Sequence, residues 1–157
     1  MTHLIDLIAG DAKEIMLVID RDDLGALDDR RRFPAHVALG GGLDPTWLDL
    51  FAESVRGVTG RDDPSDFLDA RIEFDAPADE GGRTIERVDP AWISAVAGVQ
   101  DREIGAIAAS WIDRIEEDLG GLAPDEKPWI RDLAGQLVAF CRAADRVPDV
   151  LFAWSMR

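Results

Sequence analysis

A helix-opening phrase used three times constrains this chain more than any other feature. Asp44-Pro45-Thr46-Trp47-Leu48 and Asp89-Pro90-Ala91-Trp92-Ile93 are near copies, and Lys127-Pro128-Trp129-Ile130 is a looser third. Proline suits the first helical turn, where its missing N–H has no partner to lose, and a preceding aspartate caps the free amides that follow. The tryptophan just beyond then anchors the new helix to a core. The flanks of the copies do not match, so they read as shared helix-start chemistry rather than a duplicated unit. The phrases specify architecture and carry no catalytic or cofactor signature.

At 157 residues the chain is most simply one domain, large enough to bury about two-thirds of its unfolded surface. Five tryptophans, six phenylalanines and many Ile, Leu and Val supply a core despite the charge. No apolar run approaches the roughly 20 residues that span a bilayer. Met1-Thr2-His3-Leu4-Ile5-Asp6 lacks the basic region and long apolar stretch of a signal peptide. The single cysteine, Cys141, has no internal disulfide partner, so a cytoplasmic location is expected.

Charge is the second strong fact. Acidic residues number 32 against 17 basic ones, giving a formal net charge of −15. Such a field repels nucleic-acid phosphates and anionic membranes, so neither is expected as a partner. The one basic run, Arg30-Arg31-Arg32, follows Asp28-Asp29 and is locally balanced. A basic protein partner accounts for the acidity; so does solubility or a salty cytoplasm. Two lysines against 15 arginines, with asparagine and tyrosine absent, fit a GC-rich, bacterial-type genome.

Leu4–Ile8 is a short apolar stretch, Ala35–Leu39 predicts a strand that stops at the glycines, and unbroken Ile15-Met16-Leu17-Val18-Ile19 predicts a buried strand. Between them, residues 20–32 form a charged turn with room for one short helix. The first Pro-Trp helix runs from about Pro45 to Arg56. From Asp69 to Asp75 the sequence alternates, with Ala70, Ile72 and Phe74 expected inward and Arg71 and Glu73 outward. Arg83–Val88 completes a hairpin through a turn at 77–82. The second half is helical: a short helix from Pro90, a longer one through Ile104, Ile107, Trp111 and Ile115 closed by Gly120-Gly121, and a third through Ile130, Leu133, Leu137 and Cys141. Val150–Trp154 reads as a final buried strand. The fold class expected is therefore α+β, one domain over 1–157 with a mostly antiparallel sheet packed by C-terminal helices.

Candidate chemistry is sparse. Gly40-Gly41-Gly42 lacks a Walker lysine and G-x-G-x-x-G spacing, and reads as a flexible turn. Asp20, Asp22 and Gly25 imitate the start of a calcium loop, but Leu24 and Arg31 occupy positions that need ligands. With His3 and His36 as the only histidines and one cysteine, zinc has no ligand set, and no metal or cofactor is expected. Cys141 lies among Leu137, Val138 and Phe140, which predicts burial. No serine sits in a G-x-S-x-G elbow. The most acidic stretch, residues 61–80, holds Asp62, Asp63, Asp66, Glu73 and Asp75. Together with Asp22 and Asp23 in the earlier turn, these are the first candidates for an acidic interface. Trp47, Trp92, Trp111 and Trp129 fall on helical apolar stripes and are expected in the core.

From Val88 onward the rhythm resembles the small uncharacterised bacterial YfbM-like family. The carriers are Val88-Asp89-Pro90, Trp129, Phe140-Cys141-Arg142-Ala143-Ala144 and Val150-Leu151-Phe152. The Leu-Asp-x-Asp-Lys-x-Trp phrase associated with that family is absent from the N-terminal part. The resemblance implies an α+β fold and brings no catalytic residues.

Together these features favour a non-enzymatic interaction protein, in concrete form an immunity protein whose acidic face neutralises a basic protein partner. The alternative is a small-molecule binder or unrecognised enzyme with a pocket between sheet and helices, where His36 would be the first residue to test. A homodimer through an exposed strand or tryptophan face is compatible with either.

Overall fold

A computed structural model describes residues 5–40, 43–73 and 83–155. The chain opens with β1 (Ile5–Ala9), α1 (Ala12–Asp20), a 3-10 turn at Leu24–Asp28 and β2 (Ala35–Ala38). There follow α2 (Trp47–Thr59), the single turn α3 (Phe67–Ala70), β3 (Arg71–Glu73) and β4 (Arg83–Val88). It closes with α4 (Pro90–Ala97), α5 (Asp101–Leu119), α6 (Glu126–Ala144) and β5 (Val150–Ser155).

The five strands form one sheet in the order β2-β1-β5-β4-β3, with every pairing antiparallel. The last strand of the chain thus sits at the centre of the sheet, between β1 and β4. Side chains alternate across it as pleating requires. Leu7, Val37, Val150 and Phe152 face the main core with α2, α4, α5 and α6. Ile8, Leu151 and Ala153 face a smaller second core under α1 and the 3-10 turn. This is the α+β domain with an antiparallel sheet that the sequence predicts, the helices of the second half covering one face.

The first correction concerns Ile15–Ile19, which is helix and not strand. Asp11 caps α1, its Oδ1 accepting from the amides of Lys13 at 3.0 Å and Glu14 at 3.1 Å. Ala12, Ile15, Val18 and Ile19 then fall on the buried face, while Leu17 is 46% exposed. An apolar run of five carries no period of its own, so the cap decided the conformation. Asp11→Ala is expected to cost about 1 kcal/mol through loss of that cap, read as a lower midpoint in urea.

The second correction is in β3, which starts two residues later than the expected strand and is of opposite facing. One turn of helix, Phe67–Ala70, precedes it. Arg71 then points to the helical side, its guanidinium 5.5 Å from the Phe67 ring centroid and 5.4 Å from that of Phe152, with Glu86 Oε1 3.5 Å away. Guanidinium stacked on two ring faces is attracted by their quadrupoles, which offsets its loss of water. Ile72 takes the opposite face, beyond the cover of α1, and is 54% exposed. Phe74 and the turn at 77–82 lie outside the described residues.

The Pro-Trp phrases do start helices, with local differences. Asp44 Oδ1 accepts from the amide and hydroxyl of Thr46, so Pro45 lies in a turn just ahead of α2. Asp89 caps α4 directly, accepting from Ala91 N at 2.8 Å. Trp47, Trp92 and Trp111 are buried as expected, whereas Trp129 is only half-buried against the main core.

Candidate functional site

The most acidic described segment is held in shape by the helices on either side of it. Gly60 ends α2 in the left-handed region at φ 72°, where a side chain would be strained, and turns the chain away. Arg56, in the last turn of α2, then reaches back over the loop. Its Nη1 donates to the Pro64 carbonyl and its Nη2 to Asp66 Oδ1 at 2.8 Å. Asp49 Oδ1 accepts from the amide of Leu68 at 2.7 Å, tying α3 to α2. The Asp89 amide donates to the Ala70 carbonyl at 2.8 Å, which seats α4 beside the same loop.

These ties leave an open groove of about 420 Å³ lined by Asp62, Asp63, Pro64, Ser65, Ala91 and Trp92. Asp63 shares its carboxylate with Arg61 Nη2 at 3.0 Å, an exposed pair. Asp62 is exposed and makes no ion pair among the described residues. Trp92 forms the inner wall. Its ring sits edge-on to Phe67 at 4.9 Å and tilted to Phe51 at 6.5 Å, and its buried indole N–H has no acceptor among the described residues.

The structure therefore gathers only some of the acidic residues singled out by composition. Asp62 and Asp63 line the groove. Asp66 is committed to Arg56 and serves the loop's own architecture. Glu73 ends β3, in register with Glu86 of β4, and Asp75 lies outside the described residues. Asp22 and Asp23 sit after α1, on the side of the sheet away from the groove, with Asp22 at φ 56°. Two exposed apolar side chains, Leu68 at 60% and Ile72, lie within the acidic stretch in sequence.

His36 belongs to a different cluster. From β2 it contacts Asp6 of β1, Nε2 to Oδ2 at 2.5 Å, and Asp28 of the 3-10 turn, Nδ1 to Oδ1 at 3.0 Å. Asp6 is buried, while Asp28 is exposed and also lies 3.9 Å from Arg30 Nη2. Burial opposes a charge on the imidazole, but hydrogen bonds to Asp6 and Asp28 and the charges of both prevail. The net result is a His36 pKa above its ordinary 6.5. A general base needs a free ring nitrogen. Here both are engaged with carboxylates, so the imidazole acts as a structural clamp joining β1, β2 and the 3-10 turn. His36 lines a cleft of about 260 Å³ between β2 and α6, shared with Arg30 and Gln136.

Other reactive groups are occupied or concealed. Burial, and secondarily Asp145, pushes the Cys141 thiol far above its usual range, so it stays protonated at neutral pH. Ser94 Oγ donates to Asp145 Oδ1 at 2.8 Å in a cleft whose lining holds no histidine. Among the described residues no three His, Cys, Asp or Glu side chains converge as a metal site. Nor, among them, is any helix long and apolar enough to cross a membrane.

Acidic density in the sequence marks Asp62 and Asp63, whereas Arg56, Ala91 and Trp92, which shape the groove around them, carry no such local mark. Asp6 does carry one, as the lone carboxylate in the apolar run Ile5-Asp6-Leu7-Ile8. Comparison with protein families, characterised proteins and solved structures gives no match to this chain.

Proposed function

We propose that this chain is an acidic protein-interaction protein of the immunity type, neutralising a basic protein partner. The observation that carries this reading is the surface built by residues 61–72. There Asp62, Asp63 and Asp69 stand exposed, and Leu68, one of the four large exposed hydrophobic side chains among the described residues, lies in the same segment. Exposed carboxylates on a strongly negative molecule speed encounter with a cationic protein, while apolar contact slows its release. The ties from Arg56, Asp49 and the Asp89 amide give this surface a fixed shape before any partner arrives, which lowers the entropy cost of binding. Occupation of both His36 nitrogens weighs against the alternative of a catalytic pocket at β2.

The test is native co-purification from the source organism, with mass spectrometry of intact complexes. A stoichiometric basic protein is expected, and Asp62→Ser/Asp63→Ser should slow its association on the order of tenfold at low salt. Asp66 is left unchanged because its loss would disturb the loop. A chain that purifies alone, or with a small-molecule mass, would overturn the proposal.

A further inference from the structure

The two edges of the sheet are guarded differently. Arg71 and Glu73 put charge on β3, at one edge, whereas β2 at the other holds no Asp, Glu, Lys or Arg. Its one titratable residue, His36, is tied to Asp6 and Asp28. We propose that β2 receives a second copy of this chain, the two sheets joining edge to edge about a two-fold axis at Val37. The Leu39 amide donates to the Ile5 carbonyl at 2.8 Å, and the register then bonds Val37 to Leu7 and Ala35 to Ala9. The amides and carbonyls of His36 and Ala38 therefore point away from β1. Among the described residues no backbone hydrogen bond outside the sheet reaches them, and Ala38 is exposed. Such a row of open donors and acceptors is a template for another strand.

The ends of the strand set the register. Pro34 has no N–H to give, and Gly40 leaves extended geometry at φ 82°, so a pairing centred on His36 or Ala38 would draw in one of them. Centred on Val37, His36 of each copy exchanges both backbone bonds with Ala38 of the other. The helix beside the edge fits the same symmetry. Gly40 lies against the Trp129 ring near the start of α6, so α6 runs antiparallel to β2 and its later turns reach the Pro34 end. In the open cleft between them α6 exposes Gln136, Ala139 and Ala143, short side chains that let a second α6 approach. Arg30, half-exposed, lies at the Pro34 end of this cleft, and Asp132 stands exposed one turn before Gln136 toward the other end. The two-fold turns each Arg30 toward the other copy's Asp132, so the charges are self-complementary. A strand from a cationic protein would instead meet the run Arg30-Arg31-Arg32.

The test is sedimentation equilibrium of the full chain at about 0.15 M salt, where repulsion between acidic chains is screened beyond about 8 Å. A mass twice the 17.2 kDa of one chain is expected. Ala38→Pro removes an outward amide and no bond to β1, so it should weaken self-association at least about tenfold while helical circular dichroism is kept. Two surface reversals test the geometry without touching the strand. Arg30→Glu and Asp132→Arg should each weaken the dimer alone. Mixed in equal amounts, the two chains should form the mixed dimer in native mass spectrometry, because both contacts then join opposite charges. A chain that sediments as a monomer overturns the proposal. A dimer that Ala38→Pro leaves intact places the contact elsewhere and overturns it equally. Reversals without effect, beside a disruptive Ala38→Pro, overturn the two-fold register. A foreign polypeptide held by the wild-type chain and lost from Ala38→Pro would give the edge to another protein's strand and overturn the second copy.

Discussion

Trp111→Ala is expected to lower stability by about 3–5 kcal/mol, the usual cost of emptying a large aromatic site in a packed core. Trp111 is fully buried on the face of α5 that meets α2. Its ring lies edge-on to Phe51 with centroids 5.0 Å apart, and its indole N–H donates to the Trp47 carbonyl at 2.8 Å. Alanine removes the packing, the ring pair and the hydrogen bond together. With total stability for such domains in the range of about 5–15 kcal/mol, the loss is a large fraction of the whole. In a thermal melt it corresponds to roughly 8–16 °C for a chain of this size. Trp111→Phe separates the contributions, because a ring persists against Phe51 while only the indole bond and some volume are lost. That variant should fall between wild type and alanine. A Trp111→Ala chain melting within about 2 °C of wild type would show that the α2–α5 contact is not part of the cooperative core.

The architecture was legible wherever one helix face or one strand was marked by side chains of a single kind. Ile107, Trp111 and Ile115 repeat every four residues, and Gly120 stops α5 in the left-handed region at φ 79°, so that helix could be read end to end. Val150–Trp154 carries apolar residues on both faces because β5 is central, with a core on each side. Ile15–Ile19 imitates such a strand, and only the Asp11 carboxylate three residues before Glu14 distinguishes a capped helix from it. The facing of β3 was hidden for another reason. The sequence shows that Arg71 and Ile72 point opposite ways, but not that Phe67 and Phe152 provide two ring faces for a guanidinium.

The candidate site divides along the same line. Acidic density over 61–80 is local and visible in composition. The groove joins residues 62–65 to residues 91–92, and Arg56 holds the loop from the preceding helix; no short-range pattern records either contact. The His36 clamp is also non-local, joining β1, the 3-10 turn and β2.

That clamp gives the second large effect. His36→Ala is expected to cost about 3 kcal/mol, because it strands the buried Asp6 carboxylate without its cation. The effect should depend on pH in a defined direction. Imidazolium donates from both nitrogens and serves Asp6 and Asp28 at once, whereas neutral imidazole donates from one and turns a lone pair toward the other carboxylate. Folding therefore raises the pKa of His36 above the ordinary 6.5. A group raised on folding contributes stability that is fully present below its unfolded pKa and is lost as pH climbs through the folded one. Urea midpoints should then decline as pH rises above 6.5, and the decline should be much flatter in His36→Gln, which has no proton to lose. Comparing the two chains at each pH cancels the background from the many other carboxylates. A double-mutant cycle between His36→Gln and Asp6→Asn isolates the pair, and its coupling should shrink over the same pH rise. Parallel midpoint curves for wild type and His36→Gln would mean that folding leaves the His36 pKa unchanged, so that the two carboxylates do not favour the imidazolium.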